Sequence, residues 1–168
     1  MHDPSESAIA AGWSAADAAA PRATVDHFAA LLARHPGSAR ALFEYAGALD
    51  FADRPAEAAA GYERAFAAGL SGDLLRQGLI QYASTLRNLG RPSEALTVLG
   101  TAHELFGDDD AVIAFRSLVL SDLGRGGEAV AALLNLTLDK MDSPSLWQYR
   151  RPLRGYANTL TTKAHQDS

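Results

Sequence analysis

The sequence predicts an all-α protein built from antiparallel helix pairs, and three observations predict it. A motif, Leu42-x-x-Tyr45-Ala46-x-x-Leu49, returns as Leu79-x-x-Tyr82-Ala83-x-x-Leu86 and as Leu153-x-x-Tyr156-Ala157-x-x-Leu160, with a weaker copy at Ile113-x-x-Arg116-Ser117-x-x-Leu120. Its large residues fall at i, i+3 and i+7, one face of a helix, with a small residue among them where a second helix can approach. Alanine makes up about a fifth of the chain, a bias toward helix because its side chain loses no entropy there. No stretch alternates apolar and polar residues with a period of two, so no sheet is expected.

The first helix is expected over about 6–19, an Ala-rich segment with Ile9 and Trp13, and the second over about 22–35. Phe28, Leu31 and Leu32 give the second its apolar stripe, and Pro36-Gly37-Ser38 stops it. The motif copies place helices over about 38–52, 72–89, 109–123 and 144–163. A second pattern follows the first two copies and the weak one: Glu57-Ala58-x-x-x-Tyr62-x-x-Ala65, then Glu94-Ala95-x-x-x-Leu99-x-x-Ala102, then Glu128-Ala129-x-x-x-Leu133-x-x-Leu136. It predicts partner helices over about 55–69, 92–106 and 126–138, nine helices in all. Gly90 and Gly124 sit where a helix must stop, and Pro55 and Pro92 near where the next begins, where a missing N–H costs nothing. Asp73, Asp109 or Asp110, and Ser145 are expected N-caps. Pro152 falls inside the last expected helix, so either a kink there or a start nearer Arg151 is open.

Composition excludes several chemistries. The chain has 168 residues, a net charge of −5 and no cysteine. Disulfides, zinc–thiolate sites, iron–sulfur clusters and cysteine nucleophiles are therefore out. The acidic balance argues against nucleic acid and anionic membrane as partners, since both need clustered Lys and Arg. No window reaches 18 consecutive apolar residues, and the start lacks a basic and apolar leader, so a cytoplasmic location is expected. The histidines at 2, 27, 35, 103 and 165 form no H-E-x-x-H motif. Asp108-Asp109-Asp110 lacks the alternating ligands of a calcium loop, and Gly124-Arg125-Gly126-Gly127 lacks the Lys and the strand of a phosphate loop. No catalytic residue, metal ligand or cofactor is expected.

The partner-helix pattern repeats after 37 residues and then 34, from Ala58 to Ala95 to Ala129. A helix–turn–helix unit of that length with small residues at the crossing resembles the tetratricopeptide repeat. The phrases Phe43-Glu44-Tyr45-Ala46-Gly47-Ala48-Leu49-Asp50 and Ser84-Thr85-Leu86-Arg87-Asn88-Leu89-Gly90-Arg91 resemble a bacterial subgroup, group 5 of these repeats. The resemblance implies a right-handed α-α superhelix. It divides one domain, 1–168, into a degenerate repeat (1–37), repeats at 38–71, 72–108 and 109–142, and a capping helix and tail (143–168). It also implies a non-catalytic scaffold binding a protein or peptide, with a homodimer as the alternative. Asp53 stands where the first turn usually has Gly, and Arg116 where the pattern is buried and apolar. Either a distorted third repeat or an acidic partner for Arg116 is expected.

In such a stack the first helices of the pairs line a concave groove. Its expected lining is Arg40, Phe43, Gly47, Asp50 and Phe51, then Gln77, Ile80, Ser84, Arg87 and Asn88. Ala111, Ala114, Leu118, Ser121 and Asp122 follow, then Arg151, Arg154, Asn158 and Thr161. Arg40, Arg87, Arg151 and Arg154 offer guanidinium forks for carboxylates. Asp50 and Arg87 hold equivalent positions, so an internal bridge and a ligand contact are both open. Chaperone-tail binders of this family use a Lys, Asn and Arg clamp, and Phe43 and Gly47 stand where it would begin. Phe43, Phe51, Ile80 and Leu118 instead suit an amphipathic helix or extended peptide. Trp13 and Trp147 lie near the two ends, each expected under its own terminal helix or, with Tyr149, in a self-complementary contact.

Overall fold

A computed structural model describes residues 3–164. Among them are ten helices and no strand: α1 (Glu6–Ser14), α2 (Pro21–Arg34), α3 (Ala39–Phe51), α4 (Pro55–Ala67), α5 (Gly72–Asn88), α6 (Pro92–Phe106), α7 (Asp110–Asp122), α8 (Gly126–Lys140), α9 (Pro144–Trp147) and α10 (Arg150–Ala164). The chain forms two compact units, one running to Gly90 and the other from Arg91.

Helix starts use two devices. Ser5, Ser38 and Asp109 accept hydrogen bonds from backbone N–H groups of the first turn, as side-chain caps do. By contrast α4, α6 and α8 begin at Arg54, Arg91 and Arg125, none of which caps with its side chain. Each arginine instead forks onto the glutamate three residues on, with both contacts at 2.6–2.8 Å: Arg54–Glu57, Arg91–Glu94 and Arg125–Glu128. The glutamate sits in the first turn, where the helix dipole favours a negative charge. The neighbouring guanidinium and its hydrogen bonds hold the Glu57 and Glu94 carboxyls below the usual range.

The turns before these helices need a left-handed residue. Gly90 and Gly124 supply it at φ 72° and 75°, and Asp53 supplies it at φ 55°. The N–H of the residue after Asp53 returns to the Leu49 carbonyl at 2.9 Å, and Arg125 N returns to Leu120 at 2.8 Å. Asp is among the few residues other than Gly that enter this region readily, so the turn survives the substitution.

The first unit packs around Phe28, Leu31, Leu42, Leu49, Tyr62 and Leu70. The crossing of α3 and α4 is tight: a Cβ added at Gly61 would lie 2.8 Å from the Ala46 Cβ. The small residue of the first pattern therefore meets Gly61, a position that the second pattern leaves unspecified. In the second unit Leu99, Val112, Val119, Leu120, Leu138 and Ala157 are buried, and α8 packs on both α7 and α10.

At the far end the start near Arg151, left open by the sequence, is the one found, and one expectation changes. The helix expected over 144–163 is broken into α9 and α10. Mid-helix, Pro152 would clash with the carbonyl four residues back. Starting again at Arg150 puts it in the first turn, where its missing N–H is harmless. Tyr156, expected in the buried stripe, is 65% exposed. Ala157 is buried and Leu153 and Leu160 are half-buried, but the tyrosine lies to the side of that stripe, where no described helix follows to cover it.

Candidate functional site

The expected groove positions divide sharply once placed. In the first unit Arg40 is committed to the fold. Its Nε donates to Glu44 Oε1 at 2.6 Å, and Glu6 lies 3.4 Å from the guanidinium. Glu44 is only 5% exposed, and its other oxygen accepts from Trp13 Nε1 at 2.6 Å. Burying a carboxylate requires this degree of pairing. The Trp13 indole also stands 3.4 Å from where a Gly47 Cβ would be, and packs edge-on to Phe51 at 6.3 Å. The α3 face expected to be open is thus covered by a side chain of α1, which also rests on Phe28 at 4.8 Å.

Phe43 and Ile80 are corrections. Neither lines a surface: Phe43 is 4% exposed and packs on Tyr62, and Ile80 is 6% exposed. The reason is that α3 and α5 bury more than one stripe. α3 packs on both α2 and α4, and α5 on α4 and α3, so a residue one step around the helix from the motif leucine still meets a neighbour. A glycine or alanine stripe alone did not reveal this.

Asp50 is half-buried and accepts from the Thr85 hydroxyl at 2.5 Å. The Tyr62 hydroxyl lies 3.0 Å from both Asp50 Oδ2 and Gln81 Oε1. One O–H serves one acceptor, and the carboxylate is the stronger, so a turned Gln81 amide donates to the tyrosine oxygen. Burial raises the Asp50 carboxyl above its ordinary value against the pull of these two hydrogen bonds, and burial beside Asp50 raises Tyr62 far more. The partners of Asp50 are therefore hydroxyls, and no ion pair joins it to Arg87 among the described residues. Arg87 is half-buried and engaged, Ser84 is half-buried and Asn88 is exposed. Gln77 donates to Asp73, which precedes neither cap nor turn: Ser71 stands at the cap position of α5.

In the second unit Leu118 is 44% exposed, with Ser121 and Asp122 exposed on the same helix. On α10, Arg151, Arg154 and Asn158 form an exposed i, i+3, i+7 stripe, and Arg154 pairs with Asp139 of α8. Arg116 is exposed, and has neither the burial of its motif position nor an acidic partner among the described residues. Trp147 is not under a helix: it is 56% exposed, and its indole N–H donates to Asp142 at 3.0 Å. Met141, Tyr149 and Tyr156 are also more than half exposed.

The arginine–glutamate forks correspond to Arg-x-x-Glu at three repeat positions, starting three residues ahead of the repeated pattern, which begins at the glutamate. Nothing in the sequence flagged the Glu44 pairing, because it joins segments 31 residues apart. No group of three or more His, Asp or Glu among the described residues is placed to hold a metal. No described helix is long and apolar enough to cross a membrane.

A family model described as tetratrico peptide repeat matches residues 39–160. A search of curated proteins gives no match.

Proposed function

Because the chain belongs to the tetratricopeptide repeat family, group 5, whose members are helical scaffolds for protein partners, we propose that it is a non-catalytic scaffold holding a peptide or helix of a partner protein. The surface we assign in the second unit is formed by Leu118 and Asp122 on α7 and Arg151, Arg154 and Asn158 on α10; in the first unit, taken by itself, it is the side of α5 that carries half-buried Ser84 and Arg87 and exposed Asn88. In this reading Leu118, Asp122, Arg151, Arg154 and Asn158 share one binding face of the second unit. The observation that carries it is Leu118, a large apolar side chain 44% exposed in the middle of a helix, flanked by polar groups that fix orientation. A reducing cytoplasmic setting fits the absence of cysteine.

The experiment is site-specific photocrosslinking from Leu118 and Asn158 in cells, with Val130 on α8 as control. The reading expects the same partner from both groove positions and not from Val130. Equal labelling from all three, or different proteins at Leu118 and Asn158, overturns it.

A second reading rests on a separate observation. Met141, Trp147, Tyr149 and Tyr156 are 52–65% exposed within the last part of the second unit. Large apolar side chains exposed in this number mark interaction surfaces, and a second copy of the chain would cover them through a two-fold contact. Sedimentation equilibrium tests it. A dimer that Tyr156→Asp dissociates supports the reading, and a monomer at 100-fold varied concentration refutes it.

A further inference from the structure

The second unit contains a cleft of about 610 Å³ between α6, α7 and α8. It shares no residue with the surface proposed above. Its origin is visible in the repeat. In the first unit the tyrosine of the motif, Tyr82, fills the joint with the preceding helix: its ring packs on Phe66 at 5.6 Å and its hydroxyl donates to Glu63 at 2.7 Å. At the same repeat positions, 34 residues on in α7 and 37 on in α6, the second unit has Arg116, His103 and Gly100. All three line the cleft. A ring, a second ring and a carboxylate have become a cation, an imidazole and nothing: a Cβ added at Gly100 would meet no atom within 4 Å. The cleft is a filled joint emptied by three substitutions.

What the cleft lacks defines what fits it. The floor is apolar, from Val112, Ile113, Ala132 and Leu136. Around the rim, most charges pair off, Lys140 with Asp110 at 2.9 Å, Asp139 with Arg154, and His103 beside Asp108, while Glu104 stands exposed at the edge. Arg116 alone among the lining cations has no hydrogen-bond or ion-pair partner among the described residues. The donor of the first-unit joint has been replaced by a stronger, forked donor, and the position of its carboxylate partner, Glu63, is held by Gly100. We propose that the α6–α7–α8 cleft binds a small organic monocarboxylate with an aromatic or branched apolar body, its carboxylate on Arg116 where the first unit has Glu63, and its body on Val112, Ala132 and Leu136 where the first unit has rings. The volume suits such a ligand, lying within the ~300–1,000 Å³ of small-molecule sites. A guanidinium holds a carboxylate in two parallel hydrogen bonds.

The probe is 3-phenylpropionate, titrated into the full chain and followed by amide chemical shifts, with its neutral amide as comparison. Saturable shifts confined to α6, α7 and α8, with a Kd on the order of 10⁻⁴ M, are expected. The amide should bind at least ~10-fold more weakly, and Arg116→Gln should lower affinity for the acid by a similar factor while leaving affinity for the amide unchanged. The triple variant Gly100→Glu, His103→Phe, Arg116→Tyr restores the first-unit joint. It should abolish binding and raise the Tm, a readout that needs no ligand. Absence of saturable shifts up to ~10 mM, equal binding of acid and amide, or undiminished affinity in Arg116→Gln would each overturn the proposal. So would a peptide ending in phenylalanine that binds more tightly than the free acid, since the cleft would then serve a polypeptide terminus.

Discussion

Phe43→Ala separates a surface role from a core role by magnitude alone. A groove residue truncated to alanine changes stability by less than ~0.5 kcal/mol. Phe43 is 4% exposed and lies 6.2 Å from the Tyr62 ring. Removing a buried phenyl ring forfeits its transfer energy and leaves a cavity, and together these cost about 3–5 kcal/mol. A unit of this size has roughly 5–13 kcal/mol of stability in all, so the variant should sit near the edge of unfolding. Phe43→Leu keeps most of the volume and should cost about 1–1.5 kcal/mol. Urea denaturation followed by helical circular dichroism and by fluorescence of Trp13, in the same unit, gives both numbers. A loss below ~0.5 kcal/mol in Phe43→Ala would show that the ring is not in the core, and the two-stripe burial of α3 would fall with it.

Two glycines two residues apart should respond with opposite sign. Gly124→Ala forces a side chain to φ 75° and should cost about 1 kcal/mol with no clash involved, whereas Gly126→Ala, at ordinary φ in the first turn of α8, should be neutral or gain a few tenths; thermal melts compare them directly. The Glu57 and Glu94 carboxyls lie below their ordinary value of 4.5 in the folded chain, so their contribution is full above that pH and is lost as the pH falls through the lowered values. Glu57→Gln with Glu94→Gln should flatten acid unfolding in that range, measured as urea midpoint against pH. Asp50 runs the other way: its carboxyl lies above 3.8 in the folded chain, so stability declines as the pH rises from 3.8 through the raised value. Asp50→Asn should remove that decline, and an unchanged slope would refute the assignment.

How far the residues themselves foretold this molecule depends on the range of the interaction. Much that is local is legible, though the α5 cap falls at Ser71 and not Asp73. The motif spacing and its partner pattern locate α3 to α8 to within a few residues, the glycines mark their turns, and α1 ends at Ser14, short of the expected 19. Interactions between distant segments are not legible. Trp13 reaching Glu44 and covering Gly47 could not be read from either segment alone, and it closes a face that the repeat pattern leaves open. The burial of Phe43 and Ile80 failed for a related reason: a helical stripe says which face is buried first, not how many neighbours the helix will have. Arg116 departs from the motif in the sequence alone, but its setting takes shape only with Gly100 and His103, which line the same cleft.

The arginine–glutamate fork has a bearing on how such chains grow. Both members lie within four residues, so α4, α6 and α8 each carry their own ignition signal and borrow none from the rest of the molecule. A stretch of gene copied in tandem would therefore deliver a segment already equipped to begin winding at the right residue. Lengthening the array, by recombination or by an engineer, asks only that the seams between copies fit.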